Sequence, residues 1–205
     1  MDRIQFSPAP VKWSRFPAIY PVTLEGNGLV TLRPRPELDG NAIRVHEVPD
    51  EVTIPEGGLY KGFSLPIWSD PSDEELYFRQ DVPLRWDGAS NITVSVIAVL
   101  DTANTDKKFQ LQLAWEHFAK NGVVPATANL VPIEKDTGTA AQYQSFICDF
   151  TIEYDIGEVG NEIKYGEVLT VRLRRVAASG DEIAGNVVII DWYLHYRRDK
   201  LGAPI

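Results

Sequence analysis

Residues 186–198 read NVVIIDWYLHYRR, and the spacing of their apolar side chains decides the fold class. Val188, Ile190, Trp192, Leu194 and Tyr196 share one parity; Asp191, Tyr193, His195 and Arg197 share the other. Successive side chains of a strand point to opposite faces, so a period of two describes a ribbon with one dry face and one wet face, as in an antiparallel sheet. Working backwards along the chain, VLTVRLRRV (168–176) turns Leu169, Val171 and Leu173 inward and Thr170, Arg172 and Arg174 outward. In QSFICDFTIEYD (144–155), Phe146, Cys148, Phe150, Ile152 and Tyr154 form the inward row, with Gln144 at its wet end. KKFQLQLAWEHF (107–118) repeats the pattern with Phe109, Leu111, Leu113 and Trp115. ITVSVIAVL (92–100) is apolar on both parities toward its end, which predicts a strand covered on both faces there.

Shorter strands are expected in LYKGFSL (59–65), in ELYFRQ (75–80) and near Asn129–Ile133, and one short helical turn near Ala177–Ile183. About eight strands then follow residue 58 with no long helix between them. That pattern predicts an all-β protein: an antiparallel two-sheet sandwich, a jelly roll of about eight strands over residues 59–205. Residues 1–58 differ. They hold eight of the fourteen prolines, which cannot donate to a ladder and so favour edge strands and extended connections. We expect a proline-rich N-terminal arm or small β subdomain here, with short strands at Leu29–Arg33 and Ala42–Val48 around an Asp39-Gly40-Asn41 turn. Trp13, Phe16 and Tyr20 are too apolar for a solvated linker and are candidates for lying on a partner.

A chain of 205 residues with a net charge of −9 lacks the basic excess of a nucleic-acid surface. No apolar run approaches the ~18 residues that span a bilayer, and MDRIQFSPAP has no apolar leader core, so a soluble protein made in a cytoplasm is expected. The one cysteine, Cys148, rules out an internal disulfide and reads as a small buried hydrophobe.

Catalytic chemistry has no signature. Asp191 and His195 share a face but sit four residues apart on a strand, roughly 13 Å, too far to hold one metal ion. Glu116 and His117 are adjacent and face opposite ways. There is no G-x-S-x-G elbow and no phosphate-binding glycine loop. Glu74, Glu75, Glu116, Asp149 and Glu153 read as surface acids. No catalytic, cofactor-binding or metal-binding residues are therefore assigned, and no enzyme activity is expected. Arg172, Arg174 and Arg175 form a basic cluster; pairing with acids across strands is the ordinary use, and contact with another subunit the sharper one. Tyr193, Trp68 and Trp86 are candidates for an aromatic platform or an interface.

Five segments, PLRWDGASNITVSVIAVLD, KKFQLQLAWEHF, TGTAAQYQSFICDFTIEYD, VLTVRLRRVAASGDEIAGNVVIIDWYL and YRRDKLGAP, resemble tailed-bacteriophage virion proteins of jelly-roll type. The resemblance covers residues from about 59 to the C-terminus and supplies no functional residues. It implies a non-enzymatic structural protein of the virion, assembled in the host cytoplasm and decorating or cementing the capsid, with a trimer favoured. The implied partners are the major capsid protein or other virion proteins, with no nucleic acid and no membrane. Trp13, Phe16, Tyr20, Arg172, Arg174 and Tyr193 are the candidate partner-binding residues. A carbohydrate-binding or receptor-binding fibre head is the alternative, requiring Trp and Tyr rings that converge on one groove or face.

Overall fold

The structure is a computed structural model and describes residues 49–66, 75–84, 86–155 and 162–198, with 22–24 and 29–32 as backbone. Thirteen strands occur among them and no helix: β1 (Val22–Leu24), β2 (Leu29–Leu32), β3 (Glu51–Ile54), β4 (Tyr60–Leu65), β5 (Leu76–Asp81), β6 (Ile92–Leu100), β7 (Asn104–Thr105), β8 (Lys108–Phe118), β9 (Asn129–Asp136), β10 (Thr139–Ala140), β11 (Ser145–Ile152), β12 (Val168–Val176) and β13 (Val187–Arg197). Residues 177–183, expected to turn helically, form an irregular loop instead. Its main chain at Glu182 forms a parallel β-bridge with that of Lys108, and Glu134 on β9 accepts from the Ser179 N–H at 2.5 Å and its Oγ at 2.9 Å. These long-range anchors outweigh the weak local helical preference of AASGDEI.

Eight strands make the jelly roll. One sheet has β4, β13, β6 and β11 side by side; the other has β5, β12, β8 and β9, all pairs antiparallel. Apart from the β8–β9 hairpin, each step along these eight strands crosses from one sheet to the other. The first sheet is widened by β3, which pairs with β4, and by the β1–β2 hairpin, whose β2 pairs with the C-terminal half of β13. The expected strand at Ala42–Val48 and its turn lie outside the described residues.

Between the sheets lies one core, built from the predicted inward rows. Phe109, Leu111, Leu113, Trp115, Leu169, Val171, Leu173, Cys148, Phe150 and Ile152 are all buried in it. Burying side chains of this size contributes roughly 1.5–3 kcal/mol each, so alternation alone selects which face turns inward. Trp86 is completely buried, its Nε1–H donating to the Ser90 carbonyl at 3.0 Å.

The opening stretch behaves differently from its simple parity. A β-bulge between Ile189 and Asp191 inserts one extra residue opposite Ile97, and an odd insertion exchanges the two faces. Trp192, Leu194 and Tyr196 enter the main core as expected, but so do Val187 and Ile189. Val188 and Ile190, expected inward, lie on the opposite face, where Val188 clusters with Ile54 and Val99, and Val52, Tyr143 and Ile190 pack against it. The bulge is also where the neighbour of β13 changes from β4 to β2. Gly62 sits at that junction. A Cβ there would lie 2.7 Å from the Ile189 carbonyl oxygen and from Val188 Cγ1.

Candidate functional site

The outer face of the β5–β12–β8–β9 sheet carries the two outward arginines. Both gather on Glu75, whose side chain is only 3% exposed: Arg172 Nη1 is 3.5 Å from its Oε1 and Arg174 Nη1 3.7 Å. Tyr77 donates its hydroxyl to Glu75 Oε2 at 2.6 Å, and Arg174 forks onto Gln112 Oε1 through Nε and Nη2 at 2.9 and 2.6 Å. Burial, followed by the hydrogen bond to Glu75, raises the Tyr77 pKa above its ordinary value. Glu75, expected on the surface, is thus a buried hub. Register places Arg172 between Tyr77 and Ala114, and Arg174 opposite Gln112, so this network bridges three strands.

Arg175 leaves the basic cluster altogether. Its parity points inward, and its side chain is fully buried. It donates to Glu182 Oε1 from Nη2 at 2.6 Å, to the Gly185 carbonyl from Nη1 at 2.6 Å and to the Ile183 carbonyl from Nη2 at 3.2 Å. It holds the β12–β13 loop against the sandwich.

Tyr193 is half-buried on the outer face of the other sheet and donates its hydroxyl to Asp191 Oδ2 at 2.9 Å. Its ring lies 6.1 Å from that of His195. In the same row, Ser95 opposite Tyr193 donates to Asp149 Oδ1 at 2.5 Å. Trp13, Phe16, Tyr20 and Trp68 lie outside the described residues. Trp86, a candidate for a platform or an interface, belongs to the core instead, as do Trp115 and Trp192. Tyr60 and Tyr165 are exposed but stand far apart in the topology, on β4 and in the β11–β12 connection.

One end of the sandwich bears a groove of about 380 Å3, lined by Lys120, Asn121, Lys164, Tyr165, Gly166 and Glu167. Tyr165 is half exposed, and its ring meets buried Trp86 edge-on at 6.1 Å. Glu167 Oε2 lies 2.7 Å from His117 Nδ1 and accepts from the Lys164 N–H at 3.0 Å. Lys120 reaches Asp81 at 2.8 Å. Among the described residues no three His, Cys, Asp or Glu side chains gather as a metal site.

The flank formed by β9 and β11 is the surface that sequence reading missed. Each strand closes its sheet and is paired on one side only among the described strands. The Thr137 N–H donates to the Lys107 carbonyl at 2.8 Å, which fixes the phase of β9. Alternate residues of an antiparallel strand face the same neighbour, so Leu130, Pro132, Glu134 and Asp136 turn their main-chain groups outward. Pro132 has no N–H and interrupts that edge. On β11 the Leu100 N–H donates to the Gln144 carbonyl at 3.2 Å. Phe146, Cys148, Phe150 and Ile152 therefore face β6, and Ser145, Ile147, Asp149 and Thr151 present N–H and C=O to the open side. Their side chains are exposed as well, Ile147 by 58%. The legible signal was a proline in one edge strand and none in the other.

No family model matches the chain, and no curated protein matches it significantly. Among solved structures, the xylan-binding module CBM15 is similar at 10% identity, TM-score 0.38, covering 89% of this chain and 99% of its own. The CBM36-1 domain of a multidomain xylanase from the hindgut metagenome of Trinervitermes trinervoides is similar at 10% identity, TM-score 0.37, covering 86% and 99%. Eiger TNF from S. frugiperda is similar at 11% identity, TM-score 0.32, covering 90% and 94%. These likenesses bear on neither a ligand nor a partner of this chain.

Proposed function

We propose that this chain is a non-catalytic module that works by holding other molecules, and specifically a structural protein of a tailed-phage particle, fixed to its neighbours by protein–protein contacts. The observation that carries this reading is the open β11 ladder, an eight-residue strand whose outward main-chain groups are unpaired among the described strands and which bears an exposed Ile147. Exposed, proline-free edges invite main-chain pairing with another protein. The resemblance of residues 59–205 to virion jelly rolls supplies the setting, with the capsid or another virion protein as partner. The arginines Arg172 and Arg174 support it indirectly: engaged on Glu75 and Gln112, they stiffen a sheet. Mass spectrometry and immunogold microscopy of purified particles from the phage that encodes the chain test the proposal. We expect the chain on the particle in a fixed copy number; its absence from particles overturns the reading.

A second reading, a carbohydrate-binding or receptor-binding head, is favoured by the end groove, where half-exposed Tyr165 stands beside Lys120, Asn121 and Lys164. A ring flanked by hydrogen-bonding side chains suits a sugar. A glycan array of the full chain beside its Tyr165→Ala variant decides it: binding lost in the variant supports this reading, and an array without hits removes it.

A further inference from the structure

Resting on the reading of this chain as a protein-contact module, we propose that the open edge of β11 pairs antiparallel with β11 of a second copy, about a two-fold axis at Ile147. The outward groups of β11 are those of Ser145, Ile147, Asp149 and Thr151. A two-fold operation pairs these residues with one another or with their own copies, and three registers keep at least three bonded pairs. Centred on Asp149, the pairing sets two carboxylates opposite each other, a like-charge pair that destabilises. Centred on Cys148, it places exposed Ile147 against Asp149. Centred on Ile147, it places Ile147 against its own copy and Ser145 against Asp149 on both sides. Apolar then meets apolar, and a hydroxyl meets a carboxylate. Asp149 already accepts from Ser95 through Oδ1 at 2.5 Å, which orients the group, and a carboxylate accepts more than one such bond.

Three residue pairs in this register each exchange two main-chain bonds, roughly six in all, and join the two wide sheets into one. The sheet beneath does not join in the same way, because Pro132 removes a donor from the middle of the β9 edge. The contact is isologous, so it closes as a pair and does not propagate into a fibre.

Cysteine scanning of the full chain tests the register. Opposite residues of a bonded antiparallel pair have Cα atoms about 5.5 Å apart, within disulfide reach. Ile147→Cys should give a covalent dimer under mild oxidation, the native Cys148 being buried and turned the other way. Asp149→Cys should not, because its two copies would lie roughly 13 Å apart. Sedimentation equilibrium should show a dimer for the wild type and a monomer for Ile147→Lys, with the dissociation constant raised at least about tenfold by the opposed charges. A wild-type monomer or trimer, or crosslinking through Asp149→Cys in place of Ile147→Cys, overturns the proposal. The broader reading fails separately: it is lost if the wild type is absent from particles, and it stands if particles retain the chain while the pairing test fails.

Discussion

Arg175 Nη2 donates to Glu182 Oε1 at 2.6 Å from a side chain with no exposure to solvent, and this pair locks the β12–β13 loop to the sandwich. A guanidinium taken wholly out of water is tolerated because Glu182 and the carbonyls of Gly185 and Ile183 accept its hydrogen bonds. Burial nonetheless lowers its pKa from the ordinary value, with Glu182 opposing the shift. Arg175→Met should therefore cost about 3–5 kcal/mol, as expected when one partner of a buried pair is removed. Arg175→Met with Glu182→Gln should recover part of that loss. Urea denaturation of the single and double variants checks it; a neutral single variant contradicts it.

Gly62 is needed for want of room. Val188 Cγ1 and the Ile189 oxygen would both lie 2.7 Å from a Cβ, and backbone cannot yield as a flexible side chain does. Gly62→Ala should destabilise by about 1–3 kcal/mol through overpacking. Gly57→Ala, which meets nothing within 4 Å but has φ of +75°, provides a comparison in which only backbone strain acts. Thermal melts of the two variants distinguish crowding from strain.

The Cys148 thiol is pushed up to about 11 by burial. Thiolate is the reactive form, so the native chain should react with a disulfide reagent at pH 8 at least about a hundredfold more slowly than the denatured chain. Absorbance kinetics with and without denaturant measure the ratio. Comparable rates would mean that the β11 strand opens readily.

Glu134 is held at about 2 by the hydrogen bond from Lys108 Nζ at 2.8 Å, then by the N–H and hydroxyl of Ser179. A depressed carboxylate contributes stability that is fully present above its ordinary value of 4.5 and is lost as pH falls through about 2. The melting temperature should fall across that window, and Glu134→Gln should show a smaller fall. Identical pH profiles for the two proteins would disprove the linkage.

Much of the fold was legible because burial repeats every second residue along uninterrupted strands. The rows Phe109–Trp115 and Leu169–Leu173 needed nothing beyond that rule. It failed at Val188 and Ile190, since one bulged residue reverses parity without leaving a mark in a run that is apolar on both sides. The buried roles of Glu75 and Arg175 were hidden for another reason. Whether a charge is solvated or buried depends on partners brought from distant strands or across a loop, and charge alone does not announce them. The end groove was equally hidden, because Lys120 and Tyr165 meet only when the β8–β9 and β11–β12 connections come to the same end.

By itself the order of residues determined that this protein is a two-layer β-sandwich, because solvent sorts alternating side chains locally and the chain has no competing helical period. Tertiary structure alone decided which edge stays open among the described strands, which arginines face water and where β13 changes its neighbour. Those outcomes depend on hydrogen-bond phase and on contacts between residues far apart in sequence, and neither is set until the two sheets have closed on each other.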